Sequence, residues 1–169
     1  MAVLSQCGIQ GSRGRLAVTL PDALRFVSEL RANRKQIVFT NGVFDLLHPG
    51  HVRYLRHART LGDALLVGVN SDRSVRANKG PDRPLTPESE RCEVLEALAC
   101  VDGAITFDED TPYDLIAALQ PDTLVKGADW AEDAIVGRDI VERRGGRVVR
   151  VAVEQGHSTS AMIERIRRH

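Results

Sequence analysis

Cysteine is scarce in this chain, and its few cysteines show none of the spacings that metal sites or redox motifs require. Cys7, Cys92 and Cys100 form no close pair, and the last two fall in or just after a predicted helix, where buried free thiols are common. An odd number of cysteines fits a reducing compartment. Because the N-terminus also lacks the apolar segment of a secretory signal, we expect a cytoplasmic protein.

The chain also has no excess of either charge and no long apolar run. Its 23 Lys and Arg residues balance 23 Asp and Glu residues, which gives no global reason to expect a nucleic acid or a membrane as partner. No apolar stretch approaches the roughly 18 residues that span a bilayer. The 169 residues, 43% of them hydrophobic, suffice for one domain with a real core. Because the net charge is zero, any anion site must be local.

Short apolar runs alternate with amphipathic segments along most of the sequence. Strands are predicted over residues 36–40, 64–70, 103–107, 122–126 and 147–153. Helices are predicted over residues 20–30, 50–61, 87–99, 112–119, 134–144 and 158–167. This alternation predicts an α/β fold, doubly wound around a parallel five-stranded sheet, with its ligand at the carboxyl ends of the strands. We assign residues 16–169 to a single domain and residues 1–15 to a flexible tail.

The most informative segment follows the first predicted strand and reads TNGVFDLLHPGH over residues 40–51. An apolar strand runs into a turn at Gly42, which permits close approach of a phosphate, and His48 and His51 then open a helix. Free N–H groups and the helix dipole favour an anion there. Two alternatives remain open on the residues alone. The histidines could ligate a metal, although no local spacing supplies a third ligand, or they could be ordinary capping and core residues.

Later segments carry further groups suited to a nucleotide. Lys126 can neutralise phosphate at the end of the fourth strand, Asp129 can accept hydrogen bonds from ribose, and Trp130 could pack on a base or close the core edge. Lys79 and Arg83 lie in a Gly- and Pro-rich loop over residues 76–84, which is either solvated or closes over phosphates. Arg91 could reach phosphate or pair with an acid, and the hydroxyls of residues 158–160 either bind an anion or cap the last helix.

GVFDLLHPGH resembles the first signature of the nucleotidyltransferase superfamily that includes the cytidylyltransferases and class I aminoacyl-tRNA synthetases. The closing HSTS resembles its second signature, a hydroxyl-rich turn that contacts the triphosphate. The resemblance implies a Rossmann-like sheet and two histidines that bind a nucleoside triphosphate. Together with KGPDRP, DEDTP and PDTLVKGADW, residues 35–168 resemble the D-glycero-β-D-manno-heptose 1-phosphate adenylyltransferase family. That family's activity would convert ATP and the heptose 1-phosphate into ADP-heptose and pyrophosphate, in the supply of lipopolysaccharide core.

Besides adenylation of a flavin or pantetheine phosphate within the superfamily, two other functions remain as alternatives. One is a cytidylyltransferase for a small phosphorylated alcohol such as glycerol 3-phosphate. Some of those enzymes carry an Arg-Thr pair where this chain has Glu154 and Gln155, which argues against that assignment. The other is a nucleotide-binding module without turnover, and the presence of all signature residues argues against it.

Site roles follow from the residues and the resemblance together. We predict catalytic roles for His48, His51, Lys79 and Lys126. Nucleotide-binding roles are predicted for Thr40, Asn41, Gly42, Phe44, His48, His51, Arg91, Lys126, Gly127, Asp129, Trp130, Ser158, Thr159 and Ser160. Sugar-phosphate contacts are predicted for Asp45, Asn70, Asp72, Lys79 and Arg83. We expect Mg²⁺ to arrive bound to the triphosphate, with Asp45 as an outer-sphere contact and no metal site of the protein itself. The substrates would be ATP and a sugar 1-phosphate, and a homodimer is expected.

Overall fold

The computed structural model describes residues 19–152 and 159–168, and strands and helices alternate through them. The strands are β1 (Ile37–Gly42), β2 (Ala64–Asn70), β3 (Gly103–Phe107), β4 (Thr123–Gly127) and β5 (Arg147–Val151). The helices are α1 (Leu20–Ala32), α2 (Pro49–Arg59), α3 (Asp72–Lys79), α4 (Glu88–Glu96), α5 (Tyr113–Leu119), α6 (Arg138–Arg143) and α7 (Thr159–Arg167). The tail predicted over residues 1–15 and the end of the predicted fifth strand at Val153 lie outside the described residues.

The five strands form one parallel sheet in the order β3-β2-β1-β4-β5. The chain moves outward on one side of β1 and then returns to build the other side with β4, where Val38 lies opposite Thr123. That change of direction opens a crevice outside the carboxyl ends of β1 and β4, which is where doubly wound sheets bind their ligands. The predicted fold class and number of strands are confirmed.

Both faces of the sheet are covered, so its central strands are apolar on both sides. Ile37 and Phe39 of β1 pack into a cluster with residues of α1 and α5, whereas Val38 between them packs with residues of α2 and α4. Side chains of β2 are buried from Ala64 through Val69. Burial of each such aliphatic side chain stabilises the fold by roughly 1.5–3 kcal/mol. The carboxyl edge of the sheet is therefore a rigid base for a binding site.

Two local predictions differ from the structure. Residues 76–84 were predicted as a loop, but residues 72–79 form α3, which has almost no apolar stripe and begins where Ser71 Oγ accepts a bond from Ser74 N at 3.1 Å. The helix predicted over 134–144 is interrupted: a short 3-10 turn ends at Ala134, and Gly137 adopts a φ of +84° before α6. A Cβ at Gly137 would lie 2.6 Å from Ile116, so a glycine is required there.

The described helices are short. The longest, α1, has 13 residues, and in the described ranges no helix combines the length and hydropathy that crossing a membrane requires.

Candidate nucleotide site

Lys126 forms the floor of the crevice between β1 and β4. Its side chain is largely buried, with 7% of the residue exposed, and Nζ donates to Oδ1 of Asn41 across the two strands. The same ammonium lies 5.4 Å from the ring centroid of Trp130, which is half exposed at the mouth of the crevice. Burial lowers the pKa of Lys126 to about 8, and the charge of Asp129 opposes this shift. A cation held in this way is well placed for a phosphate group.

The two histidines lie at the start of α2, in the segment that follows β1. His48 is the N-cap, and its Nδ1 accepts from the backbone N–H of His51 at 3.3 Å. Pro49 suits the first helical position, because a helix leaves that N–H without a partner in any case. The two imidazoles stack with centroids 3.7 Å apart and an angle of 20° between their planes. Both rings therefore lie where the helix dipole favours a bound anion.

The surroundings of His51 keep its imidazole neutral at pH 7. Burial, and then the charges of His48 and Lys79, lower its pKa to about 4 against a backbone hydrogen bond involving Leu46. Its Nδ1 is buried and has no hydrogen-bond partner within the described part of the chain. A buried polar atom without a partner is uncommon, and it marks this ring as a candidate for a functional role.

The lowered pKa of His51 predicts that this residue makes the folded protein less stable at acid pH. The unfolded chain takes up a proton near the ordinary histidine value of about 6.5, while the folded protein resists until about pH 4. Stability linked to His51 is thus present above pH 6.5 and is lost as the pH falls towards 4, by roughly 2 kcal/mol after allowance for the ring's partial exposure. Thermal melts between pH 4 and 7 should show a smaller decline for His51→Gln than for wild type. His57→Gln, on the exposed face of α2, should decline as wild type does.

Tyr54 lies one turn after His51 on α2, although no motif in the sequence marks it. Its hydroxyl is 2.8 Å from Oγ1 of Thr40, which is fully buried near the end of β1. Burial raises the pKa of Tyr54 to about 12, and the nearby charge of Asp129 adds to the shift. Since Tyr54 follows His51 by three residues on a helix, the spacing places both on one face, and this was the signal that could have identified it.

Phe44 joins the first strand to the histidines in an unusual backbone conformation. Its φ is +50°, a region that costs a bulky residue about 1–3 kcal/mol. The ring is buried and meets the ring of His51 edge-on, with 5.3 Å between centroids. A Cβ at Gly42 would lie 3.0 Å from this ring, so glycine allows the phenyl group to fold back over the strand end.

Asp45 and Arg83, both predicted to contact the sugar phosphate, are partners of each other. Arg83 Nε donates to Oδ2 of Asp45 at 2.6 Å, and the backbone N–H groups of Leu85 and Thr86 donate to Oδ1 at 2.8 and 2.9 Å. Only 1% of the Asp45 side chain is exposed. Both carboxylate oxygens therefore fix the segment before α4.

Arg91 is likewise occupied within the protein. Its Nη1 donates to Val43 O at 2.5 Å, its Nη2 to Asn70 O at 2.7 Å and to Asp72 Oδ1 at 2.8 Å, and its Nε to Thr86 O at 3.0 Å. The guanidinium side chain is fully buried. The structure thus brings Arg91, Asn70 and Asp72 together at the carboxyl end of β2, and there the guanidinium pairs with an acid, one of the two roles that the sequence left open.

The remaining predicted groups surround the same crevice. Lys79 is exposed at the end of α3, close enough for its charge to affect His51. Thr159 begins α7, and its hydroxyl donates to Leu46 O at 3.4 Å, which places this helix N-terminus against the histidine loop. Gly127 ends β4 beneath Asp129 and Trp130. Ser160 lies in the first turn of α7, and Ser158 lies outside the described residues.

Paired histidines at the helix start after β1 and a buried lysine at the end of the adjacent β4 lie at the end of the sheet where doubly wound folds bind their ligands, and this arrangement fits a nucleotidyltransferase. The chain belongs to the cytidylyltransferase-like family, whose model matches residues 39–165.

Individual relatives agree with this assignment. The bifunctional protein HldE of Syntrophotalea carbinolica is 53% identical over 150 residues, which are 88% of this chain and 31% of that protein. HldE of Hyphomonas neptunium is 53% identical over 165 residues, 97% of this chain and 33% of its own length. This chain therefore spans about a third of the length of the curated relatives it matches.

Solved structures share the fold. A lipopolysaccharide core biosynthesis protein from Thermoplasma volcanium is 30% identical with a TM-score of 0.62, over 72% of this chain and 99% of that one. Pantoate-beta-alanine ligase from Francisella tularensis, at 14% identity and a TM-score of 0.59 over 84% of this chain and 67% of its own, shares the fold alone.

Proposed function

We propose that this domain transfers AMP from ATP to D-glycero-β-D-manno-heptose 1-phosphate and releases pyrophosphate. The observation that carries the proposal is the stacked pair of His48 and His51 at the start of α2, with the charge of Lys79 acting on His51. It is supported by the buried Lys126 at the end of β4, which bonds Asn41 on the neighbouring strand that leads to the histidines. The sugar acceptor is supported by the resemblance of residues 35–168 to heptose-phosphate adenylyltransferases. It is supported further by the similarity to HldE proteins and to a lipopolysaccharide core biosynthesis protein.

The acceptor phosphate is already an anionic nucleophile, so the reaction needs no strong general base. One of its oxygens attacks the α-phosphorus of ATP in line, and the bond to the pyrophosphate oxygen breaks as the new bond forms. Catalysis then consists of positioning the two phosphates and neutralising the charge that builds on them. We assign His48 and His51 to the α-phosphoryl oxygens and Lys79 and Lys126 to phosphate charge.

The other groups hold the two substrates. Thr159, with Ser158 and Ser160, would bind the β- and γ-phosphates at the N-terminus of α7. Asp129 and Trp130 would contact ribose and base at the mouth, above Asn41 and Gly42. The acceptor would lie towards the end of β2, near Asn70 and Asp72, with Lys79 between the substrates. In this proposal Asp45 and Arg83 shape the acceptor side through their ion pair.

Magnesium would enter with the nucleotide. In residues 19–152 and 159–168 no group of three or more His, Cys, Asp or Glu side chains could hold a metal ion, and both oxygens of Asp45 are bonded within the protein. The residues present therefore fit an ion that is ligated mainly by triphosphate oxygens. When bound, Mg²⁺ would supply charge neutralisation on those oxygens.

A pyrophosphate-release screen tests the proposal. ATP, CTP, GTP and UTP are each combined with both anomers of heptose 1-phosphate, with glucose 1-phosphate and with glycerol 3-phosphate. We expect turnover with ATP and the β-anomer of heptose 1-phosphate, and ADP-heptose as the product by mass spectrometry. Preferred turnover of CTP with glycerol 3-phosphate would establish the alternative cytidylyltransferase activity. ATP binding without any product would instead indicate a binding module. Light scattering on the same preparation tests the expected homodimer.

A further inference from the structure

Two buried charged side chains hold the backbone of one residue, Thr86, on both of its sides. The N–H of Thr86 donates to Asp45 Oδ1 at 2.9 Å, and its C=O accepts from Arg91 Nε at 3.0 Å. Arg91 also donates to Val43 O at 2.5 Å. The side chains of Asp45 and Arg91 are 1% and 0% exposed, so water does not compete for these bonds. The loop after β1 and the segment before α4 are thereby joined into one unit.

The same two side chains fix the backbone on either side of Phe44. The residue before Phe44 is held through its carbonyl by Arg91, and the residue after it, Asp45, is held through its carboxylate. A bulky residue keeps a positive φ only where its surroundings fix the backbone on both sides, and that is the situation here. The ring held in this way contacts His51 edge-on at 5.3 Å. A path of direct contacts thus connects the guanidinium to His51.

We infer that Arg91 is a positioning residue that sets the location of His51 through Val43 and Phe44, and that it does not bind phosphate. Lysine could not replace it, because a single guanidinium fork bonds the ends of β1 and β2 and the start of α4 at once, whereas an ammonium is a point donor. The kinetic consequence rests on the proposed function. The structural consequence concerns the free protein and does not depend on it.

The kinetic test compares Arg91→Lys with Arg59→Lys. Arg59 is a matched control: its Nε lies 3.0 Å from Asp102 Oδ2 and its Nη1 donates to Gly62 O at 2.7 Å, but it lies at the opposite end of α2. We expect Arg91→Lys to lower kcat on the order of a hundredfold with a smaller change in the KM for ATP, because a displaced group loses most in the transition state. Arg59→Lys should keep the wild-type kcat.

The structural test follows the imidazole of His51 by ¹⁵N NMR in the free protein. In Arg91→Lys the titration of His51 should move towards that of an ordinary histidine, because a displaced ring is more hydrated, while Arg59→Lys should leave it unchanged. Phe44→Leu tests the same path if Arg91→Lys does not fold, and it should move the titration in the same direction. An unmoved His51 titration in the folded variants, or a wild-type kcat in Arg91→Lys, would overturn the inference. An inactive wild type with a moved titration would refute only the proposed function.

Discussion

Replacing His51 by alanine is expected to lower the turnover of ATP and heptose 1-phosphate by at least about a hundredfold at saturating substrate, as loss of one transition-state donor typically does. His51 stacks on His48 at 3.7 Å, at the start of α2, and its Nδ1 lacks an internal partner in the described chain. The alanine variant removes the group that would bond the phosphoryl oxygens as charge develops on them. Single-turnover kinetics with quenched-flow detection of ADP-heptose measure the effect without interference from product release.

The matched control is His57→Ala. His57 lies on the same helix but is exposed, so its removal should leave turnover close to wild type. His51→Gln refines the interpretation, because the imidazole is neutral at pH 7 and a neutral amide can donate a similar hydrogen bond. We expect Gln to retain more activity than Ala. Near-wild-type turnover in a folded His51→Ala would refute the assigned role, and a Gln variant as slow as Ala would show that a neutral amide cannot replace the imidazole.

The strands could be predicted because the apolar residues that bury each strand are neighbours in the sequence. Residues 64–70 and 103–107 are short apolar runs bounded by Gly, Asp or Asn, and the structure has β2 and β3 over the same residues. The N-terminus of α2 was also predictable, since Pro49 and Gly50 after an apolar strand leave few other conformations. Parallel pairing then follows from the alternation of strands and helices, which brings distant carboxyl ends to one edge.

Helix α3 could not be predicted, because what stabilises it lies elsewhere in the chain. Its sequence is polar, with Val75 as its one buried aliphatic side chain. The backbone N–H of Asp72 donates to Glu88 Oε2 at 2.6 Å, and its carboxylate accepts from Arg91 at 2.8 Å. Tertiary contacts at the first turn thus decide a conformation for which local propensity gives little signal.

The same limit applies to the charged residues of the site. Lys79, Arg83 and Arg91 look alike in a sequence as possible phosphate ligands. The structure leaves Lys79 exposed, pairs Arg83 with a carboxylate 38 residues away, and buries Arg91 against a carbonyl 48 residues away. Whether a cation faces a ligand or the protein depends on such long-range contacts, and no local spacing encodes them.

Lys126→Met is expected to weaken ATP binding roughly ten- to a hundredfold, which corresponds to a charge-assisted hydrogen bond of about 1.5–3 kcal/mol. Lys126 is buried between Asn41 and Trp130, so a phosphate that bonds it would be shielded from water. Trp130 is the only tryptophan in the chain, and its fluorescence therefore reports binding directly. Lys35→Met is the control, since Lys35 forms an exposed ion pair with Asp63 at 3.0 Å, away from the strand ends that form the site.

The pH dependence of binding provides a second measurement of the same residue. Because the pKa of Lys126 in the free protein is about 8, its ammonium loses its proton as the pH rises through 8, and wild-type affinity for ATP should fall there. ATP binding at pH 8.5 should accordingly take up a proton. Lys126→Arg keeps its charge at these pH values, so its affinity should vary much less between pH 7 and 9. An affinity for ATP that is independent of pH in the wild type would contradict the assignment of Lys126 to phosphate.

The affinity for ATP should fall as the pH rises through 8, but the contribution of Lys126 to the stability of the free protein should rise. The folded protein holds Lys126 with a pKa near 8, whereas the unfolded chain binds that proton up to the ordinary lysine value of about 10.4. Between these values the unfolded state binds more protons, so the contribution of Lys126 to stability rises with pH and is least favourable below 8. The chain has three lysines, Lys35, Lys79 and Lys126, so ¹⁵N NMR of the side-chain amines can follow Lys126 by itself. The same ammonium that would bind phosphate thus destabilises the empty site at neutral pH, and ATP should raise the melting temperature more in wild type than in Lys126→Met.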